Sequence, residues 1–202
     1  ALGFGATMVT MGFLPLLMDY GKALGLSIAL VTISTAYISV KYRKQIQWKI
    51  MLPFLIPTAV ICGIVNFLSA KVSSDVMYFL LGIMFVAVSI FFFVFSNKIR
   101  IRPTITSGTI LGTICGISYG LFGSGGPMAA LYLLPATKDK TEYLATIQTF
   151  LFVNNTMIVI ISLVLGRLDM GDVPMVGAGV VALLAGTLLG LRIHDQIPSE
   201  IF

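Results

Sequence analysis

Charged residues divide the chain into seven charge-free windows that are mostly apolar. The windows are 1–18, 23–40, 50–70, 76–97, 103–137, 143–166 and 173–191. A helix that rises ~1.5 Å per residue needs ~20 apolar residues to cross a hydrocarbon core of ~30 Å. Five windows fit one crossing, whereas the first is short and the fifth is too long for one simple crossing. The pattern predicts an all-α integral membrane protein with about seven transmembrane helices.

The composition agrees with this interpretation. Hydrophobic residues make up 57% of the chain and charged residues only 10%, against about 25% charged residues in an ordinary soluble domain. A transmembrane barrel is disfavoured because the chain lacks runs of about ten residues that alternate between apolar and polar positions. The sequence also shows no Ser/His/Asp triad, metal-ligand cluster or buried carboxylate pair. We therefore expect no enzymatic activity, no metal site and no cofactor.

Basic residues cluster at the ends of predicted spans. One cluster lies in 41–49 and the other in 98–102, with two predicted spans between them. Short cytoplasmic loops carry such an excess of Lys and Arg, so we place both clusters in the cytoplasm and the turn 71–75 outside. The net charge of +5 then reflects membrane topology. We expect a lipid bilayer as the environment and no nucleic-acid partner.

The two halves of the chain carry similar patterns at an offset of 120 residues. The segment GFGAT at 3–7 precedes an apolar run to Pro15, and GSGGP at 123–127 precedes an apolar run to Pro135. We expect a first transmembrane repeat at 1–97, a basic connecting loop at 98–105 and a second transmembrane repeat at 106–202. The second repeat is one span shorter than the first, so we expect its last span to be missing from this sequence, with a genuine seven-span chain as the alternative. Transporters built from such repeats place the substrate at the interface between them.

The fifth window predicts a broken helix. We expect a helix over Thr106–Gly120, a break at Leu121–Gly126 and a half-helix that begins at Pro127. Three glycines in four residues disrupt a regular helix, and proline favours the first helical position. Ser124 is expected to cap the half-helix. The N-terminus of the half-helix, near mid-membrane, would offer free N–H groups and a partial positive charge to an anion.

The same argument applies to the segment 3–7, so two half-helix N-termini could bind an oxyanion without a buried Lys or Arg. Polar side chains in the following windows could line the pathway or form bonds between helices. The alternative is that the glycines only permit close helix packing. The substrate-binding candidates are Gly3, Gly5, Thr7, Ser27, Thr32, Gly123, Ser124, Gly125, Gly126, Pro127, Gln148, Asn154 and Asn155. Asn66 and Tyr119 are weaker candidates.

The path of the chain through the two glycine segments stays open. One broken crossing at each segment would make the repeats parallel, whereas a re-entrant hairpin at each would make them inverted. The basic loop at 41–49 and its weakly charged counterpart at 167–172 would suit inversion. We nevertheless favour broken crossings.

The glycine motifs resemble those of the sulfite exporter TauE/SafE family of membrane transporters. The resemblance lies in GFG at 3–5 with PLL at 15–17, in GISYGLFGSGGP at 116–127 and in the late GTLLG at 186–190, so it covers nearly the whole chain. It implies a secondary transporter of small sulfur-containing anions, such as sulfite or organosulfonates. The resemblance also implies a multi-pass protein of the plasma (inner) membrane that exports its substrate.

Two other classes of function stay open. One is a carrier of a cation or neutral solute; the lack of buried carboxylates disfavours coupled cations, although backbone carbonyls can bind Na⁺. The short loops disfavour a non-transporting membrane scaffold subunit, because they leave little surface for a soluble partner. The oligomeric state is also open, with a homodimer as one alternative.

Overall fold

The computed structural model describes residues 3–95 and 103–169, together with 171, 177 and 179. Within these residues the chain forms seven α-helices and no strand. The helices are α1 (Gly3–Phe13), α2 (Tyr20–Lys41), α3 (Trp48–Ser69), α4 (Ser74–Phe95), α5 (Ile105–Phe122), α6 (Gly126–Leu133) and α7 (Lys140–Val164). The prediction of an all-α protein is confirmed.

Four of the described helices are long and apolar enough to cross a membrane, namely α2, α3, α5 and α7. The described apolar parts of α1, α4 and α6 are shorter. Large apolar side chains face outward, and Phe79 on α4 is 70% exposed, as suits a surface that contacts lipid tails. Six of the predicted windows contain helices, whereas the window 173–191 lies outside the described residues apart from 177 and 179.

The fifth window folds as a re-entrant hairpin. Gly123 ends α5 with a φ of 65°, a left-handed conformation that glycine adopts without strain. The chain then reverses, and α6 returns along α5. The Ser118 hydroxyl donates to the carbonyl of Ser124 at 2.8 Å, and the Tyr132 hydroxyl donates to the carbonyl of Thr104 at 3.3 Å. The preference for one broken crossing is therefore wrong for this window, because α6 ends near the residue that precedes α5.

The predicted offset of 120 residues reappears in the helix ends. α1 and α6 are each followed by a 3-10 turn with proline at its second position, at Leu14–Leu16 and Leu134–Ala136. Each long helix that follows has an aspartate as its N-cap. The Asp19 side chain accepts from the Gly21 N–H at 2.9 Å, and the Asp139 side chain accepts from the Thr141 N–H at 2.8 Å.

Four glycines spaced by four residues bring α5 against the backbone of α3. An added Cβ at Gly112 would lie 2.6 Å from the carbonyl oxygen of Phe54, and one at Gly120 would lie 2.7 Å from that of Cys62. Both residue numbers increase together along this contact, so α3 and α5 run parallel. The glycines of this stripe are Gly108, Gly112, Gly116 and Gly120. Packing through small residues is a common way for helices to associate in membranes.

The two long helices that follow the half-helices, α2 and α7, pack antiparallel. At one end, an added Cβ on Gly25 would lie 3.3 Å from Cβ of Ser162. At the other end, Ile38 packs with Leu144. α7 therefore begins at the end of the bundle where α2 finishes, which is also the end that carries the basic loop 41–49.

Candidate functional site

The break between α5 and α6 lies inside the bundle rather than at its edge. Gly123 packs against α2, where an added Cβ would lie 2.7 Å from Ile28 Cδ1 and 3.0 Å from Leu24 Cδ1. The Tyr20 hydroxyl on the same helix donates to the carbonyl of Leu121 at 2.7 Å. These contacts hold the unwound segment against the first three turns of α2. Gly126 and Pro127, which open α6, are also buried.

The N-terminus of α6 lies level with the middle of α5. The Cys115 thiol donates to the carbonyl of Gly125, the N-cap of α6, at 3.4 Å. The first intrahelical bond runs from the Ala129 N–H to the same carbonyl at 3.0 Å. Pro127 has no N–H, so the N–H groups of Gly126 and Met128 precede that first bond and have no partner inside the helix.

Ser124 does not cap α6, contrary to the prediction from sequence. The N-cap is Gly125, and no side chain forms a capping hydrogen bond there. Ser124 is 6% exposed, and its hydroxyl oxygen has no partner among the described residues. The reason is local: the Ser124 carbonyl is bound by Ser118, and the helix starts one residue after Gly125. A buried hydroxyl is therefore available beside an uncapped helix N-terminus.

Tyr119 holds the break in place. An added Cβ at Gly125 would overlap the Tyr119 ring, so only glycine fits between this ring and the start of α6. The Tyr119 hydroxyl donates to Asn155 Oδ1 on α7 at 2.6 Å, and its ring meets Phe150 edge to face at 6.1 Å. A larger residue at Gly125 would therefore disturb this packing whether or not the backbone contacts a substrate.

Some polar atoms on α7 have hydrogen-bond partners among the described residues and others have none. Asn155 is bound by Tyr119, and Asn154 donates through Nδ2 to the carbonyl of Phe150 at 2.9 Å. Asn154 Oδ1 and Gln148 Oε1 are buried, and neither has a hydrogen-bond partner within the described part of the chain. The structure therefore leaves acceptor oxygens available on the helix that packs against Tyr119.

On α2, the two candidate residues differ. Ser27 is fully buried and its hydroxyl has no partner among the residues that the structure describes. Ser27 directly precedes Ile28, which contacts Gly123. Thr32 instead donates to the carbonyl of Ile28 in its own helix at 2.7 Å, so its hydroxyl is already used.

The first glycine segment is helical. Gly3, Gly5 and Thr7 lie in the first two turns of α1, so the segment 3–7 forms the start of a short helix and not a break between two helices. The segment lacks the third glycine and the proline of its counterpart, and single glycines do not force a helix to end. Thr7 is 3% exposed, whereas an added Cβ at Gly5 would meet no atom within 4 Å. α1 contacts both α6 and α7.

A charged cluster that the sequence did not single out lies at the end of the bundle opposite the basic loop 41–49. Arg167, after α7, donates at 3.4 Å to Asn66 Oδ1 and at 3.5 Å to Ser69 Oγ at the end of α3. Ser74 donates to Asp19 at 2.5 Å, and this bond lowers the pKa of Asp19 below its usual value. Partial burial lowers the pKa of Arg167, while the charge of Asp19 opposes this effect.

Comparison with known families identifies the chain. The model of the family described as sulfite exporter TauE/SafE matches residues 1–202, which is the whole chain. The chain therefore belongs to the sulfite exporter TauE/SafE family, and it is a multi-pass membrane transporter rather than an enzyme. No curated protein and no solved structure gives a significant match.

Proposed function

We propose that this member of the sulfite exporter TauE/SafE family exports a small sulfur oxyanion, such as sulfite or an organosulfonate, across the plasma membrane. The anion binds at mid-depth in the bundle, at the N-terminus of α6. The class of substrate and the direction follow the family description. The contacts of the break support this location.

The observation that carries the proposal is the uncapped N-terminus of α6 beside the buried Ser124 hydroxyl. Ser124 Oγ has no partner among the described residues, and the start of α6 offers the N–H groups of Gly126 and Met128. Helix N-termini carry a partial positive charge. Its attraction for an anion is stronger where water is excluded. Together these donors can bind an oxyanion through hydrogen bonds and the dipole of α6.

A second half of the site is supported by the repeated pattern. We propose that 1–97 and 106–202 are two related repeats joined by the loop 98–105. α1 takes the place of α6 in the first repeat, and Thr7 and Ser27 contribute from that side. Gly3 and Gly5 lie in the first turn of α1, and Gly5 leaves room beside the helix, because an added Cβ there would meet nothing within 4 Å.

The proposal is tested by anion flux into vesicles that contain the purified protein. Replacing Ser124 with alanine removes one donor and leaves the backbone unchanged. Hydrogen bonds to charged groups contribute about 1.5–3 kcal/mol, so S124A should raise the apparent KM for sulfite by about 10- to 150-fold. Sulfite uptake measured over a range of concentrations gives this value directly.

A matched control comes from α4. The Ser89 hydroxyl is exposed and donates to the carbonyl of Phe85 in its own helix at 2.8 Å, so S89A should leave the KM unchanged. An unchanged KM in a folded S124A protein would contradict the site. The absence of flux for sulfite, thiosulfate, sulfoacetate and simple carboxylates in the wild type would contradict the transport proposal as a whole.

A further inference from the structure

Asn154 presents a buried acceptor whose orientation is determined by the helix. Its Nδ2 donates to the carbonyl of Phe150 at 2.9 Å. Rotating the amide by half a turn would place Oδ1 against that carbonyl, and two acceptors repel each other at this distance. The amide therefore keeps its orientation, with Nδ2 on the Phe150 carbonyl and Oδ1 left to accept from another donor. Oδ1 is buried in a residue with 0% exposure, and no described residue donates to it.

Asn154 lies on the turn of α7 that adjoins the break. The next residue, Asn155, accepts from the Tyr119 hydroxyl at 2.6 Å, and Phe150, one turn earlier, meets the Tyr119 ring. The same ring is packed against Gly125, the N-cap of α6. The acceptor thus belongs to the layer of residues around the proposed anion site.

A buried acceptor has a specific consequence beside an anion site. The donors at α6 and Ser124 attract any oxyanion, but an amide oxygen repels an oxygen that carries no proton. Leaving such an acceptor without a donor costs free energy in a low-dielectric interior. Gln148 Oε1, also buried without a partner among the described residues, adds a second acceptor on the same helix. A fully deprotonated dianion is therefore a poor match for this set of groups.

We propose that Asn154 selects an anion that carries one hydrogen-bond donor, so that the transported species is a protonated monoanion or a sulfonate with a hydroxyl group. The negative oxygens of the substrate accept from Ser124 and the N-terminus of α6, and its O–H donates to Asn154 Oδ1. This inference rests on the proposed function, since it assigns the substrate class of the same site.

The test compares two sulfonates of similar size in vesicles that contain the purified protein. 2-Hydroxyethanesulfonate carries a hydroxyl donor and ethanesulfonate carries none. Inhibition of sulfite uptake by each gives an apparent binding constant. In the wild type the hydroxyl compound should bind about 5- to 30-fold more tightly, as one buried hydrogen bond allows. The same uptake, measured across pH, should follow the singly protonated form of sulfite.

Replacing Asn154 with leucine removes the acceptor at similar volume, and the ratio of the two binding constants should then fall to about one. Thr156, two residues later, is the matched control. Its hydroxyl donates to the carbonyl of Phe152 in its own helix at 2.8 Å, so T156V should keep the wild-type ratio. Thermal unfolding of each variant in detergent shows whether it is folded.

The comparison in the wild type needs no variant and is decisive alone. Equal inhibition by the two sulfonates, or a preference for ethanesulfonate, would overturn the role of Asn154. A preference that appears only when Na⁺ is present would also overturn it, because the acceptor would then bind the cation. Sulfite flux that persists in either case leaves the proposed function intact, whereas absent flux of every anion counts against the proposed function instead.

Discussion

At the scale of the residue, the polar side chains inside the bundle differ in whether their hydrogen-bonding atoms have partners. Thr32 and Thr156 use their hydroxyls on carbonyls of their own helices, as hydroxyls in membrane helices often do. Ser124 and Asn154 keep atoms without a partner among the described residues. The sequence indicated which polar residues lie in apolar windows. It could not separate these two groups, because partners depend on the direction of each side chain and on the neighbouring helix.

The Tyr119 hydroxyl makes a buried hydrogen bond to Asn155 that a single substitution can test. Replacing Tyr119 with phenylalanine keeps the ring against Gly125 but removes the donor to Asn155 Oδ1, which is 2% exposed. A buried acceptor left without a donor costs about 1–3 kcal/mol. Y119F should therefore unfold at a lower temperature than the wild type in detergent, as measured by circular dichroism.

A double variant separates this bond from the packing of the ring. N155L removes the acceptor, so adding Y119F to N155L should cost much less than Y119F alone, and the difference measures the coupling between the two side chains. If the two substitutions were simply additive, the bond would have no energetic role and Tyr119 would act only through its ring.

At the scale of the element, the sequence predicted the bounds of the two helices in the glycine-rich window well. The predicted helix at Thr106–Gly120 is observed as α5, and the predicted half-helix at Pro127 is observed as α6 from Gly126. The return of α6 along α5 is the re-entrant alternative, which the sequence left open but did not favour. A run of glycines indicates where a helix ends, but the new direction depends on contacts such as that between Tyr132 and Thr104, which are distant in sequence.

The glycine stripe on α5 was also missed, although its signal is present in the sequence as glycines every four residues. Close helix packing was an alternative for the glycines at 3–7 and 123–127, and was not considered for those within α5. The structure shows both uses. The stripe packs α5 onto α3, and the run that follows it forms the break.

Gly112 provides the test of the stripe. An added Cβ would lie 2.6 Å from the carbonyl oxygen of Phe54 and 2.8 Å from Pro57 Cγ, and neither backbone nor proline ring can easily move aside. Overpacking of this kind costs about 1–3 kcal/mol, so G112A should lower the unfolding temperature. Gly82 on α4 has no atom within 4 Å of an added Cβ, so G82A should be neutral or stabilising. Equal effects of the two substitutions would exclude a packing role for the stripe.

At the scale of the whole molecule, the sequence predicted an all-α membrane protein and the family, because both depend on the length of the apolar windows and on the glycine motifs. It did not predict how the helices are arranged across the membrane. α2 runs toward the basic loop 41–49, and α7 runs away from it, although the two helices share their 3-10 turns and aspartate caps at an offset of 120 residues. We therefore propose that the two repeats are inverted, as in many secondary transporters.

Single cysteines test this arrangement from the two sides of the membrane. In a protein whose Cys62 and Cys115 are replaced with alanine, K44C and D169C should react with a membrane-impermeant maleimide from opposite sides. Lys44 lies in the loop between α2 and α3, and Asp169 follows Arg167, which contacts the far end of α3. K138C should share the side of K44C because α6 folds back. A broken crossing would instead place D169C with K44C and K138C opposite them, so the three labels together distinguish inverted from parallel repeats.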